Sequence, residues 1–192
     1  SVPDLFAERS RLLLGDYQEP GPRVSGRLRV GLPRVLSFHD LFPFWRAFFQ
    51  FLDMDVVLSD PTNPALVRVT AQHAAAETCF PVKLMFGHVA DLLDRGVDYL
   101  FLPSVINREN HAPGQPSNHY CPYIPAVSHL VTGNMDLQTA GAIPLHVSLE
   151  LSWVPPTALS SGSSRRCSAC PAPGSWRRRP SGRSPGAVLR TR

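Results

Sequence analysis

A helix followed at once by an apolar strand is the feature of this sequence that most restricts its fold. From Pro81 to about Arg95, apolar residues recur at the i, i+3, i+4, i+7 spacing of an amphipathic helix, with Gly96 just past its end. Val97 to Leu102 is then a nearly continuous apolar run, as expected for a strand of a parallel sheet that is covered on both faces. The pair predicts a βαβ unit with a right-handed crossover.

The preceding residues repeat this alternation. Leu28–Leu32 and Asp55–Ser59 are predicted strands, and Leu41–Leu52 between them is a predicted helix that is apolar nearly all round. Its interior polar residues, Arg46 and Gln50, lie four apart and share one narrow stripe, so we expect most of this helix to be buried under a sheet or against another subunit. The sequence therefore predicts an α/β fold, a layered Rossmann-like or flavodoxin-like parallel sheet.

Composition divides the chain into three parts. Residues 1–26 are interpreted as a lead-in or linker with a short helix from Leu5 to Leu14, and residues 27–150 as the α/β domain. Residues 151–192 are rich in Arg, Pro and Ser without periodicity, which predicts a disordered tail. The abrupt change also favours the hypothesis that the reading frame has slipped after residue 150, which sequencing of the source gene would test.

The basic charge of the chain lies entirely in its last part. Of 19 basic residues, eight are arginines of residues 151–192, a segment without acidic residues; residues 1–150 hold the other 11 against all 15 acidic ones, a net charge of −4. This distribution argues against a nucleic-acid-binding domain, since the basic tail has little aromatic interleaving beyond Trp153 and Trp176.

Other features bear on the compartment. No run approaches the ~20 apolar residues of a membrane span, and the first residues do not have the pattern of a signal peptide. Four cysteines are too few for a disulfide scaffold of 192 residues. We therefore expect no membrane association and a reducing cytoplasmic location.

Three loops are predicted to lie at the carboxyl edge of the sheet, where open α/β sheets bind ligands. They are Gly31–His39, Glu77–Pro81 and Pro103–Pro122. Cys79 and Cys121 in the last two each directly precede a proline-started helix, whose N-terminus stabilises a thiolate or an anionic cluster. The pair therefore predicts a metal or iron–sulfur site; the alternative is that both are small buried apolar residues.

The remaining candidates have less specific interpretations. Arg34 and Lys83 are candidates to bind a phosphate or an acidic partner, or else are solvated surface charges. His88 is expected on the exposed polar face of its helix, and Glu77 to cap that helix. Cys167-Ser-Ala-Cys170 is interpreted as accidental because a structural zinc site usually needs a second such pair. No P-loop or GxGxxG is present, so no nucleotide site is visible, and no catalytic residue can be assigned.

An ordered series of motifs resembles one protein family. The motifs are Gly31-Leu-Pro-Arg34, Phe42-Pro-Phe-Trp45, Val57-Leu-Ser59, Glu77-Thr-Cys-Phe-Pro-Val-Lys83, Gly87-His-Val89, Gly96-Val-Asp-Tyr-Leu-Phe-Leu-Pro103 and Asn118-His-Tyr-Cys-Pro122. They resemble the domain of unknown function that follows the ATPase module in large proteins related to 2-hydroxyacyl-CoA dehydratase activases. The resemblance covers roughly residues 1–132.

The resemblance implies low-potential electron transfer with a cysteine-bound [4Fe–4S] cluster, coupled to ATP through an activase module. Cys79 and Cys121 stand where cluster cysteines are expected, and the implied partners are the ATPase module or dehydratase-like subunits; a homo-oligomer is a further prediction. Clusters take three or four thiolates, so another ligand is expected downstream, and the chain is expected to be an incomplete piece that is inactive alone. The rival prediction is a non-catalytic α/β interaction or scaffold domain whose 41–52 helix packs on a partner.

Overall fold

The computed structural model describes residues 3–23, 26–73, 77–107 and 118–150. Its strands are β1 (Arg29–Leu32), β2 (Asp55–Leu58), β3 (Tyr99–Asn107) and β4 (Ile143–Glu150). Its helices are α1 (Leu5–Leu14), α2 (Phe38–Phe51), α3 (Pro64–His73), α4 (Phe80–Asp94) and α5 (Tyr123–Asn134). The predicted tail, the reading-frame hypothesis and Cys167-Ser-Ala-Cys170 concern residues 151–192, which lie outside the described residues.

The four strands form one parallel sheet in the order β2-β1-β3-β4. Val30 lies opposite both Val56 and Tyr99. β3 and β4 keep one register from the pair Tyr99 and Ile143 to the pair Val105 and Leu149, after which the register shifts before Asn107. This is the flavodoxin-like strand order, in which the direction of chain progression reverses between β1 and β3. The predicted α/β fold with a layered parallel sheet is confirmed.

Helices cover both faces of the sheet, in agreement with the nearly continuous burial of β1, β2 and β3. One face, called face A, carries the strand residues Val30, Leu32, Val56, Leu58 and Phe101 and is covered by α2 and, at its margin, by α1. The opposite face, called face B, carries Val57, Leu100 and Leu102 and is covered by α3, α4 and α5.

Two elements were not predicted, and several bounds differ. α3 begins at Pro64, where the sequence indicated only a turn; Asn63 Oδ1 starts the helix by accepting hydrogen bonds from the backbone N–H groups of Ala65 at 3.0 Å and Leu66 at 2.9 Å. β4 was missed because five of its eight residues are exposed at the edge of the sheet, which hides its apolar pattern. Pro103 belongs to β3 and not to the loop after it.

The lead-in segment packs against the domain through Tyr17. The tyrosine hydroxyl accepts a hydrogen bond from the Leu58 N–H at 3.2 Å and lies 3.0 Å from the Val56 carbonyl oxygen. These two groups point away from β1, because the neighbouring residues of β2 bond to β1 through Asp55 N and Ser59 N. Tyr17 thus covers the outer edge of β2, which would otherwise offer unpaired backbone groups.

The other edge of the sheet is formed by β4. The Ile143 N–H donates to the Asp98 carbonyl oxygen at 2.9 Å, so this residue bonds toward β3. Because successive residues of a strand bond to opposite sides, the backbone groups of Pro144, His146, Ser148 and Glu150 point away from β3, to an edge that pairs with no other strand of the described residues. Among the described residues no helix is long and apolar enough to cross a membrane.

Candidate cysteine site at the carboxyl edge of the sheet

The architecture brings Cys79 and Cys121 to the same edge of the sheet. α4 has 15 residues, about 22 Å, and runs back alongside the nine residues of β3, about 30 Å long. Its N-terminus therefore lies near the carboxyl end of β3, where the chain also enters α5. α4 and α5 are packed neighbours on face B, and axes of packed helices lie roughly 8–10 Å apart. This topology is consistent with the prediction that the loops of both cysteines lie at one rim.

Cys79 occupies the N-cap position of α4. Its backbone is extended, and its carbonyl oxygen accepts hydrogen bonds from the N–H groups of Val82 at 3.0 Å and Lys83 at 3.1 Å. Pro81 in the first turn has no N–H to leave unsatisfied, which suits a helix start. The thiol is free and exposed, so it is available to a ligand at the positive end of the helix dipole.

Cys121 has a similar local setting at the start of α5. Its carbonyl oxygen accepts a hydrogen bond from the Ile124 N–H at 2.9 Å. The preceding Tyr120 N–H donates to the Ile106 carbonyl oxygen at 3.0 Å, which fixes this segment to the end of β3. The Cys121 thiol is also free and exposed. The alternative that the two cysteines are small buried residues is therefore wrong.

Charged neighbours of Cys79 form a pair. Lys83 Nζ lies 3.0 Å from Glu77 Oε2, and the glutamate is exposed. Glu77 therefore does not cap α4, which has no side-chain cap. That Lys83 binds a phosphate or an acidic partner stays a prediction. Such a ligand would compete with Glu77 for the ammonium group.

Arg34 lies in a different loop of the same edge, after β1. Its backbone N–H donates to Ser59 Oγ at 2.8 Å, and burial lowers the pKa of its half-buried guanidinium. Burial, with smaller effects of Arg9 and Arg34, also lowers the pKa of His39 at the start of α2. No described contact joins Arg34 to Lys83, so the two predicted binding residues are not brought together.

His88 is fully buried, and the prediction that it lies on an exposed polar face is wrong. Nδ1 lies 2.8 Å from Ser59 Oγ and Nε2 3.1 Å from Thr62 Oγ1. Burial is the main cause that lowers the pKa of His88 to about 4, so the ring is neutral near pH 7. The reason for the difference is that α4 is buried nearly all round, between the sheet and α3. Ser59 and Thr62 were missed because their role depends on this unpredicted packing.

The described side chains would supply only part of the donor set of the cluster that the resemblance implies. In residues 3–23, 26–73, 77–107 and 118–150, no three or more His, Cys, Asp or Glu side chains are grouped so that they could hold a metal ion. Two exposed thiols at helix N-termini fit half of the four-thiolate set of a typical cluster. A complete site therefore requires ligands from beyond the described residues.

The family of the chain follows from a comparison with protein-family models. The model described as the CoA enzyme activase uncharacterised domain matches residues 29–152. The chain belongs to this family. The match begins with β1, includes all four strands, and contains Arg34, Cys79, Lys83 and Cys121 of the activase-family domain. No curated protein and no solved structure matches the chain.

The match confirms the resemblance seen in the sequence motifs and changes its extent. The activase-family domain begins at Arg29, so the family match does not cover α1 or Tyr17. It continues to residue 152 and so includes β4, which the sequence motifs did not reach.

Proposed function

We propose that this chain is the cluster-carrying redox domain of a CoA enzyme activase-related protein. In this proposal Cys79 and Cys121 supply two of the thiolate ligands of a [4Fe–4S] cluster. The single observation that supports it most is the position of two free, exposed thiols at the N-termini of neighbouring helices at one edge of the sheet. Such a cluster supplies low-potential electron transfer when bound.

Electrostatics favour this use of the two cysteines. The unpaired N–H groups and the dipole of a helix N-terminus favour negative charge, and two helices at one edge add their fields. A thiolate-ligated cluster carries net negative charge and is accommodated there more easily than at a strand end. The Lys83 ammonium group, one turn into α4, adds positive charge, although Glu77 already pairs with it.

The remaining ligands and the electron source come from elsewhere in this proposal. Four thiolates complete a cluster, and the described residues provide two. We therefore expect the isolated chain to be inactive without an ATPase module that delivers electrons or a dehydratase-like protein that receives them. Membership of the activase family supports partners of these kinds.

Anaerobic iron–sulfur reconstitution tests the proposal. Iron, acid-labile sulfide, and visible and EPR spectra are measured for the parent chain and for Cys79→Ala and Cys121→Ala. We expect the parent chain to bind a cluster when it is mixed with a partner, such as the ATPase module, that supplies the remaining thiolates, and we expect either substitution to abolish that cluster or to lower its iron content by at least half. Circular dichroism of each variant verifies that the fold is retained.

A matched control uses the other two cysteines. The double variant Cys167→Ala/Cys170→Ala alters residues outside the described part of the chain, and we expect it to retain the cluster of the parent. A cluster that survives both Cys79→Ala and Cys121→Ala would refute the assignment of these ligands. A parent chain that binds no cluster even when mixed with the ATPase module would refute the redox function.

A non-catalytic interaction domain is the second candidate function. It is favoured by a row of exposed phenylalanines on α2, which a domain with only a redox site would not require. The two candidates differ in their response to cysteine substitution, because an interaction domain retains its binding when Cys79 and Cys121 are changed to alanine.

A further inference from the structure

Helix α2 has two flanks of opposite chemistry. Its buried face packs on the sheet through Phe42, Trp45 and Phe49, among others. The flank that carries Arg46 points toward the lead-in segment, since the Arg46 guanidinium donates to the Asp16 carbonyl oxygen. At 100° per residue, the apolar flank lies on the other side of the helix, toward β3 and β4.

That apolar flank is exposed. Phe44, Phe48 and Phe51 are 60%, 43% and 82% exposed, and their spacing of four and then three residues is that of a helix–helix seam. Isolated exposed apolar residues are ordinary on protein surfaces, whereas a contiguous row of large ones marks an interaction site.

The uncovered part of face A continues this apolar surface. On β4, Ile143 and Val147 are 55% and 37% exposed, and Leu145 and Leu149 lie on the same face because side chains alternate along a strand. Leu145 is the register partner of Phe101, and the ring of Phe101 lies 4.5 Å from that of Trp45, which contacts Phe48. The exposed flank of α2 and the exposed face of β4 are therefore contiguous.

These residues define a groove, called the α2/β4 groove, whose wall is Phe44, Phe48 and Phe51 and whose floor is Ile143, Leu145, Val147 and Leu149. A helix, which is about 10 Å in diameter with its side chains, can lie along β4 against this wall. Among the described residues, no helix covers this part of face A.

We propose that the α2/β4 groove binds α2 of a second copy of this chain, in a two-fold dimer in which each copy covers the groove of the other. The groove requires a helix with an uncharged apolar flank, and α2 itself presents one. A two-fold axis along the helix direction places α2 of each copy over β4 of the other. It also brings Phe48 of one copy against Phe48 of the other, an isologous contact.

The exposed area agrees with a dimer at the lower size limit of stable interfaces. Aromatic side chains bury about 150–250 Å² each, so the exposed fractions of the three phenylalanines, Leu52, Ile143 and Val147 amount to roughly 600 Å² per copy. Two copies then bury about 1,200 Å², where specific stable interfaces begin. The helix flank alone supplies too little area, so the dimer needs the β4 floor as well.

Light scattering coupled to size-exclusion chromatography and sedimentation velocity test the proposal on the full chain at micromolar concentrations. We expect the parent to have twice the 21.1 kDa mass of one chain. Phe48→Glu in the wall and Val147→Glu in the floor are each expected to shift the mass to that of one chain. Phe6→Glu on α1 is the matched control at an exposed phenylalanine outside the groove and is expected to leave the dimer intact.

A charge-swap experiment identifies the occupant. Because residue 48 faces its own copy, Phe48→Glu and Phe48→Lys are each expected to be monomeric and to form a heterodimer when mixed. A mixture that stays monomeric while both variants are folded by circular dichroism overturns the proposed geometry. A monomeric parent, or a dimer that survives both groove substitutions, overturns the proposal. A monomeric parent that dimerises only after residues 151–192 are deleted would identify that segment as the occupant and would also overturn it.

Discussion

His88 shows how one buried side chain can connect three parts of the domain. It lies on α4 and bonds to Ser59 at the end of β2 and to Thr62 before α3. Ser59 Oγ also accepts the Arg34 N–H at the end of β1. The two ring nitrogens are both satisfied, so the neutral ring is accommodated in the core without an unpaired polar atom.

This arrangement predicts acid sensitivity. The folded pKa of His88, about 4, lies below the usual value of 6.5, so the unfolded chain takes up the proton first as the pH falls. Stability from this group is complete above about pH 6.5 and is lost between pH 6.5 and 4, by at most about 3 kcal/mol. The neighbouring charges Asp91, Asp60, Arg34 and His39 modify this value less than burial does.

Urea unfolding at several pH values measures the effect. We expect the free energy of unfolding to fall from pH 6.5 to 4 in the parent and to fall less in His88→Gln, which cannot take up the proton. His39 and His146 also have lowered pKa values and contribute in the same direction in both proteins. Equal slopes in parent and variant would show that His88 is not responsible.

Tyr17 gives a second prediction for a single residue. Tyr17→Phe removes the hydroxyl that accepts from the outward-pointing Leu58 N–H and that can donate its one hydrogen to the Val56 carbonyl oxygen or to Glu19 Oε2, 2.8 Å away. We expect the free energy of unfolding to decrease by about 1–3 kcal/mol, the cost of leaving such groups unpaired. Chemical denaturation measures it, with Tyr123→Phe on the exposed side of α5 as the control. A change no larger than that of the control would contradict the edge-covering role.

For single residues, the sequence predicted the positions of the two cysteines better than it predicted the environment of His88. Cys79 and Cys121 precede proline-started helices, a local signal that the structure follows. The environment of His88 depends on residues 26 and 29 positions away, and no local pattern reports such contacts.

Helices α3 and α4 approach each other closely at Gly87. A Cβ added at Gly87 would lie 2.6 Å from the Leu66 carbonyl oxygen and would also clash with Thr70 Oγ1. Glycine at this position is therefore required by packing, although it weakens a helix by about 1 kcal/mol relative to alanine. The sequence indicated a regular helix there and no sign of the neighbouring α3.

Alanine substitution tests this contact. Gly87→Ala is expected to lower the free energy of unfolding by about 1–3 kcal/mol, because overpacking exceeds the gain in helix propensity. Gly133→Ala in α5 is the matched control: no atom lies within 4 Å of the added Cβ, so we expect a gain of up to about 1 kcal/mol. Both are measured by thermal or urea unfolding. Stabilisation by Gly87→Ala would contradict the described helix packing.

The bounds of α2 illustrate why element prediction was incomplete. The helix begins at Phe38, three residues before the predicted start, and includes Pro43 in its second turn. The prediction that most of this helix is buried is wrong within one chain, because only four of its 14 residues are buried. The apolar sequence could not distinguish the buried face from the exposed flank, since both contain phenylalanine. Only the position of the sheet beneath α2 separates them.

At the scale of the whole molecule, the lead-in segment is part of the stability of the domain. Leu13, Leu14 and Tyr17 pack against the cluster of face A. Their partial burial contributes roughly 3 kcal/mol in total at the usual value per apolar side chain. The family match does not extend to these residues, so their contribution could be inferred only from the packing.

Deletion of residues 1–22 is therefore expected to lower the free energy of unfolding by about 3 kcal/mol and to increase aggregation through the uncovered edge of β2. Denaturant titration and light scattering measure the two effects. Leu5→Ser is the control, because Leu5 is exposed and its substitution is expected to change stability by less than about 0.5 kcal/mol. An unchanged denaturant midpoint after deletion would show that the segment contributes nothing to the stability of the domain.

The sequence predicts the class of the sheet, whereas its strand order becomes known only from the structure. Alternating strands and helices restrict a chain to a parallel layered sheet, and the motifs of residues 31–122 identified the family. The position of β4 beside β3 and the groove that it leaves on face A depend on long-range pairing, which periodicity does not encode.

Pro144 limits the ability of the β4 edge to pair with another strand. It points its backbone toward this edge and has no N–H to donate there, so an incoming strand would lack one hydrogen bond at the first position. His146 and Glu150 further along the same edge add polar side chains. The β4 edge thereby discourages strand pairing with another sheet on the side where no described strand lies next to it, whereas the α2/β4 groove is an apolar surface on face A.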